Sequence, residues 1–371
     1  MLFLIYRIHD VRRYARFFGR TIADAELGAE FFNWTCSGFE VRYAGGTLKA
    51  ELLAVSELAP LAADGTREEP WAAVFADGAE TPSLRFALTE PRKWYTLYES
   101  ADGRPHTIRV VKLTECAKGK TGLAGLECGA LEPLPDAEPA CRLEFVGDSI
   151  TCGFGDEAAG ADSPFRPAEE NGWVAYAALA ARKLNAGFRC VSVSGIPVSN
   201  GAGVGEPFRF PLMPELYPYA DRLCEMSRGK TSGFEPWDFA RHPVDAVCLN
   251  LGTNDYKRIQ EAKDRSAEQE DFRARYAALL EEIRRLNGPG PELCCLLGPM
   301  DDSLAGDVRA AVKRYRERSG DRRASFFRFS NIDPLREGVG AVGHPSAATH
   351  ARMAGELYAF LRPLLRPGAA E

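Results

Sequence analysis

The residues best suited to chemistry lie in Phe145-Val146-Gly147-Asp148-Ser149, where an apolar strand ends in a sharp turn. Gly147 permits the turn, and Ser149 stands where the chain would leave the sheet. Ligands of open α/β sheets collect beyond the carboxyl ends of the strands, so a serine hydroxyl here is well placed. Nucleophilic attack also needs a base and donors for an oxyanion. Gly-Asp-Ser alone fits an ordinary turn equally well, because all three residues are turn formers.

Three later segments supply candidates for the base and for the oxyanion donors. A second candidate strand ends at Gly195, whose backbone N–H can approach an oxyanion closely. A third ends in Gly-Thr-Asn254, whose side-chain amide can donate to the same oxygen, together with the Ser149 N–H. His344 precedes Pro345, which favours an extended backbone, so we place His344 in the loop before the last helix. These residues predict a serine nucleophile (Ser149), a histidine base (His344) and a three-donor oxyanion hole.

Ser, Gly, Asn and His in this order resemble the SGNH (GDSL-type) hydrolase superfamily. The chain is more closely similar to carbohydrate esterase family 2, two-domain deacetylases that act on acetylated plant polysaccharides. Further matching segments are 213–218, 297–300 and 344–350. The resemblance implies a serine esterase that removes O-acetyl groups from plant-type carbohydrates, such as acetylated xylo- or manno-oligosaccharides, through an acyl-enzyme. It implies no cofactor.

The sequence departs from that superfamily at the acid that orients the base. This acid commonly lies three residues before the histidine, and in some relatives two before, but Ala341 and Val342 occupy those positions here. A backbone carbonyl or a distant acid such as Asp333 must then orient His344. We therefore expect a Ser–His dyad, because a carbonyl that accepts a bond from the Nδ1–H also fixes the tautomer.

Four neighbouring residues could be mistaken for catalytic groups. His350 should lie inside the last helix, as a structural or capping histidine. Asp148 and Asp255 resemble an acid/base pair, but each lies in a tight strand-end turn and is expected to accept hydrogen bonds that fix the loop. Nothing local activates Cys152 as a nucleophile.

Substrate contacts are expected in the long loop region 196–243. Aromatic faces there could stack on sugar rings, yet Trp237 and Met213 could equally be anchors that fill the core. The residues considered are Arg209, Phe210, Met213, Tyr217, Tyr219 and Trp237, of which Met213, Tyr217 and Trp237 are the predicted contacts.

Two domains are predicted for the 371 residues, one at 1–134 and one at 140–371, joined by a proline-rich linker. The first is predicted to be all-β, a sandwich or jelly roll, with 39–43 and 47–52 forming a hairpin around Gly45-Gly46. The family resemblance implies a jelly roll. This domain could bind glycan or simply pack against the cleft, and we favour packing. The second alternates strands with helices, which predicts a parallel sheet flanked by helices. The resemblance to SGNH hydrolases implies that this sheet is flavodoxin-like. The predicted strands are 142–147, 188–194, 244–251, 292–298 and 324–329, and the helices 172–185, 268–287, 303–319 and 347–364.

Composition argues against several classes of partner and indicates a cellular location. The net charge of −6 argues against nucleic acid, and no apolar stretch is long enough to predict a membrane span. Ten cysteines without a C-x-x-C pair, and five histidines not spaced with them, make a metal site unexpected. The first residues do not read as a signal peptide, so we expect reduced thiols and a cytoplasmic location.

Two other functions remain open from the sequence. An esterase or lipase-like hydrolase of a non-carbohydrate ester would use the same four residues. A non-catalytic glycan-binding protein on this scaffold would fit the missing acid, but not the intact Ser149, Gly195, Asn254 and His344.

Overall fold

A computed structural model describes residues 3–55, 68–136, 138–199 and 211–365. Its N-terminal part packs two antiparallel six-stranded sheets around one apolar core, into which Phe39, Leu52 and Ile108 are buried. The first sheet contains β1 (Leu4–Arg7), β3 (Ile22–Asp24), β4 (Ala29–Phe31), β6 (Thr47–Val55), β9 (Arg92–Glu99) and β11 (Lys120–Cys128). The second contains β2 (Arg16–Phe18), β5 (Gly38–Ala44), β7 (Trp71–Ala76), β8 (Leu84–Ala87), β10 (Pro105–Lys112) and β12 (Ala130–Glu132). A one-turn helix, α1 (Ile8–Val11), follows β1.

The predicted hairpin is wrong in its pairing, although both of its strands exist. β5 pairs with β2, β10 and β12, whereas β6 pairs with β9 and β11 of the other sheet. Gly45 and Gly46, both with positive φ, carry the chain from one sheet to the other. Alternating polarity shows which face of a strand is buried but not which strand lies beside it, so a crossover between facing sheets has the same pattern as a hairpin.

The C-terminal part is a five-stranded parallel sheet in the order β14-β13-β15-β16-β17, the flavodoxin-like arrangement that the family resemblance implies. Its strands are β13 (Cys141–Gly147), β14 (Ala186–Ser192), β15 (Ala246–Asn250), β16 (Glu292–Leu297) and β17 (Ala324–Arg328). The helices are α2 (Ser149–Cys152), α3 (Tyr176–Lys183), α4 (Met213–Leu216), α5 (Arg222–Ser227), α6 (Thr253–Glu261), α7 (Arg265–Asn287), α8 (Ala305–Ser319) and α9 (Ala347–Leu365).

Helices cover both faces of this sheet, which confirms the predicted fold class. Phe272 of α7 and Val308 of α8 pack on one face, and Tyr176 of α3 and Leu357 of α9 on the other. Within the described ranges, no helix has both the length and the hydropathy that crossing a membrane requires. None of the ten cysteines, all of which lie in the described ranges, forms a disulfide bond.

A buried ion network joins the two parts of the chain. Arg20, just after β2, lies 3.0 Å from Glu144 Oε1 of β13, and Arg189 of β14 lies 2.6 Å from the same oxygen. Burial alone would raise the pKa of Glu144, but the two guanidinium groups outweigh it and lower that pKa to about 2. Such a network tolerates no lost partner, because a charge left alone at this depth is strongly unfavourable.

A second charged cluster lies in the β-sandwich around His106. Its Nδ1 is 2.7 Å from Asp77 Oδ2, and its Nε2 is 2.9 Å from Ser100 Oγ and 3.1 Å from Asp102 Oδ1. The hydrogen bond to Asp77 raises the pKa of His106, and the contact with Asp102 adds to it, against burial, which lowers it. The folded sandwich therefore favours the protonated imidazolium.

We expect the contribution of His106 to the free energy of unfolding to decrease as the pH rises. Its contribution should be complete below the ordinary histidine pKa of about 6.5 and should be lost as the pH rises through the higher pKa of the folded state. His106→Gln should therefore destabilise most at low pH, and its difference from wild type should shrink above neutrality. Urea unfolding at several pH values measures this difference, and one that grows as the pH rises would contradict it.

Candidate active site

Ser149 lies at the carboxyl end of β13, as the first residue of α2. Gly147 is required there, because a Cβ at this position would come within 2.0 Å of Thr151 Oγ1. The Asp148 side chain accepts a hydrogen bond from the Ile150 N–H at 3.0 Å and so caps the helix. The N–H of Ser149 belongs to the first turn, where no intrahelical acceptor exists, so it can serve another acceptor.

His344 contacts Ser149 directly. Its Nε2 lies 2.9 Å from Ser149 Oγ, and its Nδ1 lies 3.1 Å from the carbonyl oxygen of Ala341. A carbonyl can only accept, so Nδ1 carries the proton and Nε2 is left to accept from the serine. Of the two alternatives left open by the sequence, the structure has the backbone carbonyl. Asp333 instead accepts hydrogen bonds from the N–H groups of Leu335 and Arg336.

Burial lowers the pKa of His344, against hydrogen bonds to the backbone of Ala341 and Val342, which raise it. The imidazole is therefore neutral around pH 7, the state that a general base needs.

The loop that carries His344 is fixed by close backbone packing. Ala341 N–H donates to the Gly155 carbonyl at 2.9 Å, and Gly340 N–H donates to the His344 carbonyl at 2.8 Å. Gly155 has a φ of +59°, and a Cβ there would lie 2.4 Å from Ala341 Cβ. Val342 has a φ of +52°, a strained conformation for a β-branched residue. The loop accepts this strain and presents the Ala341 carbonyl to His344.

Side chains after the loop add to its support. Ser346 Oγ donates to the Glu337 carbonyl at 2.6 Å, and Thr349 Oγ1 donates to Glu337 Oε2 at 3.0 Å. Arg352 of α9 forms an ion pair with the same carboxylate. Glu337 therefore ties the histidine loop to the first turns of α9.

Gly195 and Asn254 both reach this edge of the sheet. Gly195 has a φ of +79°, in a turn closed by a 3.2 Å hydrogen bond from Ile196 N–H to the Val193 carbonyl. Asn254 Nδ2 donates to Asp148 Oδ2 at 3.1 Å and to the Ile196 carbonyl at 3.3 Å. The amide thus links the serine turn to the glycine turn, and its longer bond is the one that a stronger acceptor could displace.

Asp148 and Asp255 are buried loop-fixing acceptors, as predicted. Asp255 Oδ1 accepts from the N–H groups of Val198 and Ser199 at 3.0 and 2.8 Å. Burial raises the pKa of Asp148 to about 7 and that of Asp255 to about 6. Neither carboxyl is hydrogen-bonded to Ser149 or His344 in the described residues.

The predictions for His350 and Cys152 agree with the structure. His350 is buried in α9, and its Nδ1 accepts the N–H of Tyr176 at 3.2 Å, at the first residue of α3. Burial lowers its pKa to about 3, so it is neutral and structural. Burial likewise raises the pKa of the Cys152 thiol well above its usual value, which opposes a nucleophilic role.

Two of the three predicted substrate contacts have no exposed surface. Met213 and Tyr217 are fully buried in the core, and the Tyr217 hydroxyl donates to Glu144 Oε2 at 2.7 Å. Trp237 stacks on His242 at 4.4 Å and lies against Arg20 of the ion network. Apolar residues in a loop thus serve as core anchors. Arg209 and Phe210 lie outside the described residues, and Tyr219 contacts Phe234.

Sequence reasoning missed the aromatic residues that do adjoin the site. Phe154 packs against His344 with ring centroids 4.4 Å apart, and half-buried Phe165 stacks on Phe154 at 4.0 Å. Lys118 of the β-sandwich places its Nζ 4.1 Å from the Phe165 ring. The nearness of Phe154 to Ser149 along the chain was an available signal, whereas Lys118 gave none.

Metal ligation has no basis in the described part of the chain, where no cluster of three His, Cys, Asp or Glu side chains could hold an ion. The arrangement brings together a serine, a neutral imidazole and backbone donors, which suits acyl transfer.

Comparison with known proteins agrees with this chemistry. The GDSL-like lipase/acylhydrolase family model matches residues 145–352, and the carbohydrate esterase 2 N-terminal model matches residues 17–137. The chain belongs to the GDSL-like lipase/acylhydrolase family. Its N-terminal part places it among relatives that are family 2 carbohydrate esterases, as the sequence motifs indicated.

Three relatives of this GDSL-like hydrolase illustrate the likeness. Cellulase/esterase CelE of Acetivibrio thermocellus is 32% identical over 299 residues, 79% of this chain and 34% of CelE, so the chain spans about a third of that protein. An acetylxylan esterase/glucomannan deacetylase of Cellvibrio japonicus is 25% identical over 302 residues, 80% of this chain and 76% of that protein. A family two carbohydrate esterase from Clostridium thermocellum, solved with cellohexaose, has a TM-score of 0.79 and 28% identity, covering 95% of this chain and 99% of that one.

Gly155→Ala should disable this GDSL-like hydrolase, because the added methyl group would push Ala341 and its carbonyl away from His344. Displacements of about 1 Å at a reacting group can cost about 100-fold in rate, and we expect a loss of that order in ester hydrolysis. Gly229→Ala is the matched control, since Gly229 also has a positive φ (+83°) but a Cβ there meets nothing within 4 Å. Equal hydrolysis rates for the two variants, both folded by circular dichroism, would contradict this account of the loop.

Proposed function

We propose that the protein is a serine esterase that removes O-acetyl groups from carbohydrates by means of a Ser149–His344 dyad. The observation that carries the proposal is the 2.9 Å contact between Ser149 Oγ and His344 Nε2 at the carboxyl edge of the sheet. The matches to a GDSL-like hydrolase family and to a carbohydrate esterase N-terminal domain support it, as do the activities for which the relatives are named.

In the first half of the reaction, Ser149 Oγ attacks the acetyl carbonyl while His344 Nε2 takes its proton. The negative oxygen of the tetrahedral intermediate would be bound by the N–H groups of Ser149 and Gly195 and by Asn254, which would give up its 3.3 Å bond to Ile196. Each such donor is worth about 3–4 kcal/mol of barrier. His344 then returns the proton to the departing sugar hydroxyl.

In the second half, water attacks the acetyl-enzyme. His344 removes the proton from that water and returns it to Ser149 Oγ as the bond between this oxygen and the acetyl carbon breaks, so acetate leaves and the serine is restored. The Ala341 carbonyl holds the imidazole in the same tautomer through both halves. A carbonyl stabilises the imidazolium less than a carboxylate would, and burial also disfavours that charge, so the dyad relies on the fixed orientation of the ring.

We propose acetylated xylo- or manno-oligosaccharides as substrates. This rests on the acetylxylan esterase and glucomannan deacetylase activities named for a relative and on the cellohexaose complex of a structural neighbour. Half-buried Phe165 stacks on Phe154, which packs against His344, and it offers an apolar face suited to a sugar ring. The cytoplasmic location stays a prediction.

Acetate release from acetylated xylo- and manno-oligosaccharides tests the proposal. Ser149→Ala should lower the rate by about 10⁴-fold or more, because no other nucleophile adjoins His344 among the described residues. Ser163→Ala, a serine in the loop after α2, is the control and should release acetate like wild type. A folded wild type that releases no acetate would contradict the proposal, and a preference for long-chain acyl esters would favour the non-carbohydrate esterase.

A further inference from the structure

Glu115 of the β-sandwich contacts the active-site edge of the other domain. It lies between β10 and a short 3₁₀ helix (Cys116–Lys118) and has no exposed surface. Its Oε2 accepts the Ser194 N–H at 2.7 Å and lies 3.8 Å from the Cys152 sulfur. One carboxylate thus touches α2, which begins with Ser149, and the turn that contains Gly195.

The conformation of the turn at residues 193–196 sets the direction of the Gly195 N–H, so a contact that holds this turn can affect the oxyanion hole. The turn's closing bond runs from Ile196 N–H to the Val193 carbonyl, and Gly195 is its third residue with a φ of +79°. That φ is typical of a type II turn, and types I and II differ by a flip of the central peptide. The central peptide here carries the Gly195 N–H, so the form of the turn decides whether this donor faces Ser149.

The buried carboxylate is well suited to hold the turn. Hydrogen bonds to charged acceptors are shorter and stronger than neutral ones, and the 2.7 Å distance fits this class. Lys118 Nζ lies 3.7 Å from the other oxygen and 2.7 Å from Glu68, so the negative charge is partly balanced within the sandwich. The two domains also meet closely nearby, where Gly172 N–H donates to the Leu113 carbonyl at 2.9 Å.

We propose that Glu115 is a positioning residue for the oxyanion hole, through which the β-sandwich completes the catalytic site of the hydrolase domain. It holds the Ser194 N–H and thereby keeps the Gly195 N–H directed at the reacting carbonyl. The inference rests on the proposed serine esterase function and deepens it. On this account the β-sandwich acts in catalysis through a side chain, whether or not it also binds glycan.

The test compares three substitutions at residue 115 in the full chain. Glu115→Leu removes the acceptor and should lower kcat for acetate release by about 10- to 100-fold with KM within about twofold, because only transition-state binding is lost. Glu115→Gln keeps an acceptor oxygen and should recover most of the rate. Glu115→Asp withdraws the carboxylate by one methylene, and its kcat should lie between those of the Leu and Gln variants. If the Leu variant does not fold, the Asp variant replaces it in the comparison with wild type.

A matched control separates positioning from general loosening of the interface. Asn33→Ala breaks another buried hydrogen bond between the domains, from Asn33 Nδ2 to Asp221 Oδ2 at 2.7 Å, without touching the Gly195 turn. It should lower the unfolding temperature but leave kcat unchanged. An Asn33→Ala loss of kcat equal to that of Glu115→Leu, or a Glu115→Leu effect on KM alone, would overturn the proposal.

A fluorophosphonate probe that modifies Ser149 makes the outcome independent of the sugar substrate. Its labelling rate also depends on the oxyanion donors and should fall in Glu115→Leu by a similar factor, while the final extent of labelling counts the folded sites. If wild type is labelled but releases no acetate, the carbohydrate function fails and the labelling rates still decide the role of Glu115. Equal labelling rates for wild type and Glu115→Leu would overturn it.

Discussion

The hydrogen bond from His344 Nδ1 to the Ala341 carbonyl is the constraint on which the site depends. A carboxylate at this place would orient the histidine from a flexible side chain, whereas a carbonyl can do so only if the backbone itself is held. The surrounding structure supplies that rigidity through the close approach of Gly155, the left-handed Val342 and the contacts of Glu337. The loop therefore replaces a missing charge with a fixed geometry.

The same dependence on position extends to the junction of the two domains. Arg20 of the sandwich shares Glu144 with Arg189 deep beneath the site, and this buried network leaves the domains little freedom to separate without exposing unpaired charges. A rigid junction allows a side chain from one domain to act at the edge of the other. The sandwich is therefore better described as one wall of the active site than as an appended module.

The sequence predicted the candidate nucleophile and base, but not the groups that hold them in position. Ser149 and His344 could be identified because a glycine at a strand end and a proline after the histidine are local sequence patterns. The orienting group stayed open between a carbonyl and Asp333, because a backbone carbonyl has no residue signature. Tyr217 was misplaced because loop aromatics give no sign of the direction of their side chains. Glu115 was invisible because its contact arises only when two domains meet.

Nitrogen-15 NMR of histidine-labelled protein can show whether the backbone orients His344, because it reports the tautomer of this ring near neutral pH; the His344→Gln variant assigns its signals. We expect a neutral ring with the proton on Nδ1, donated to the Ala341 carbonyl, and an unprotonated Nε2 facing Ser149. A proton on Nε2 in the resting enzyme would leave Ser149 without a base. That result would contradict a dyad oriented by the backbone.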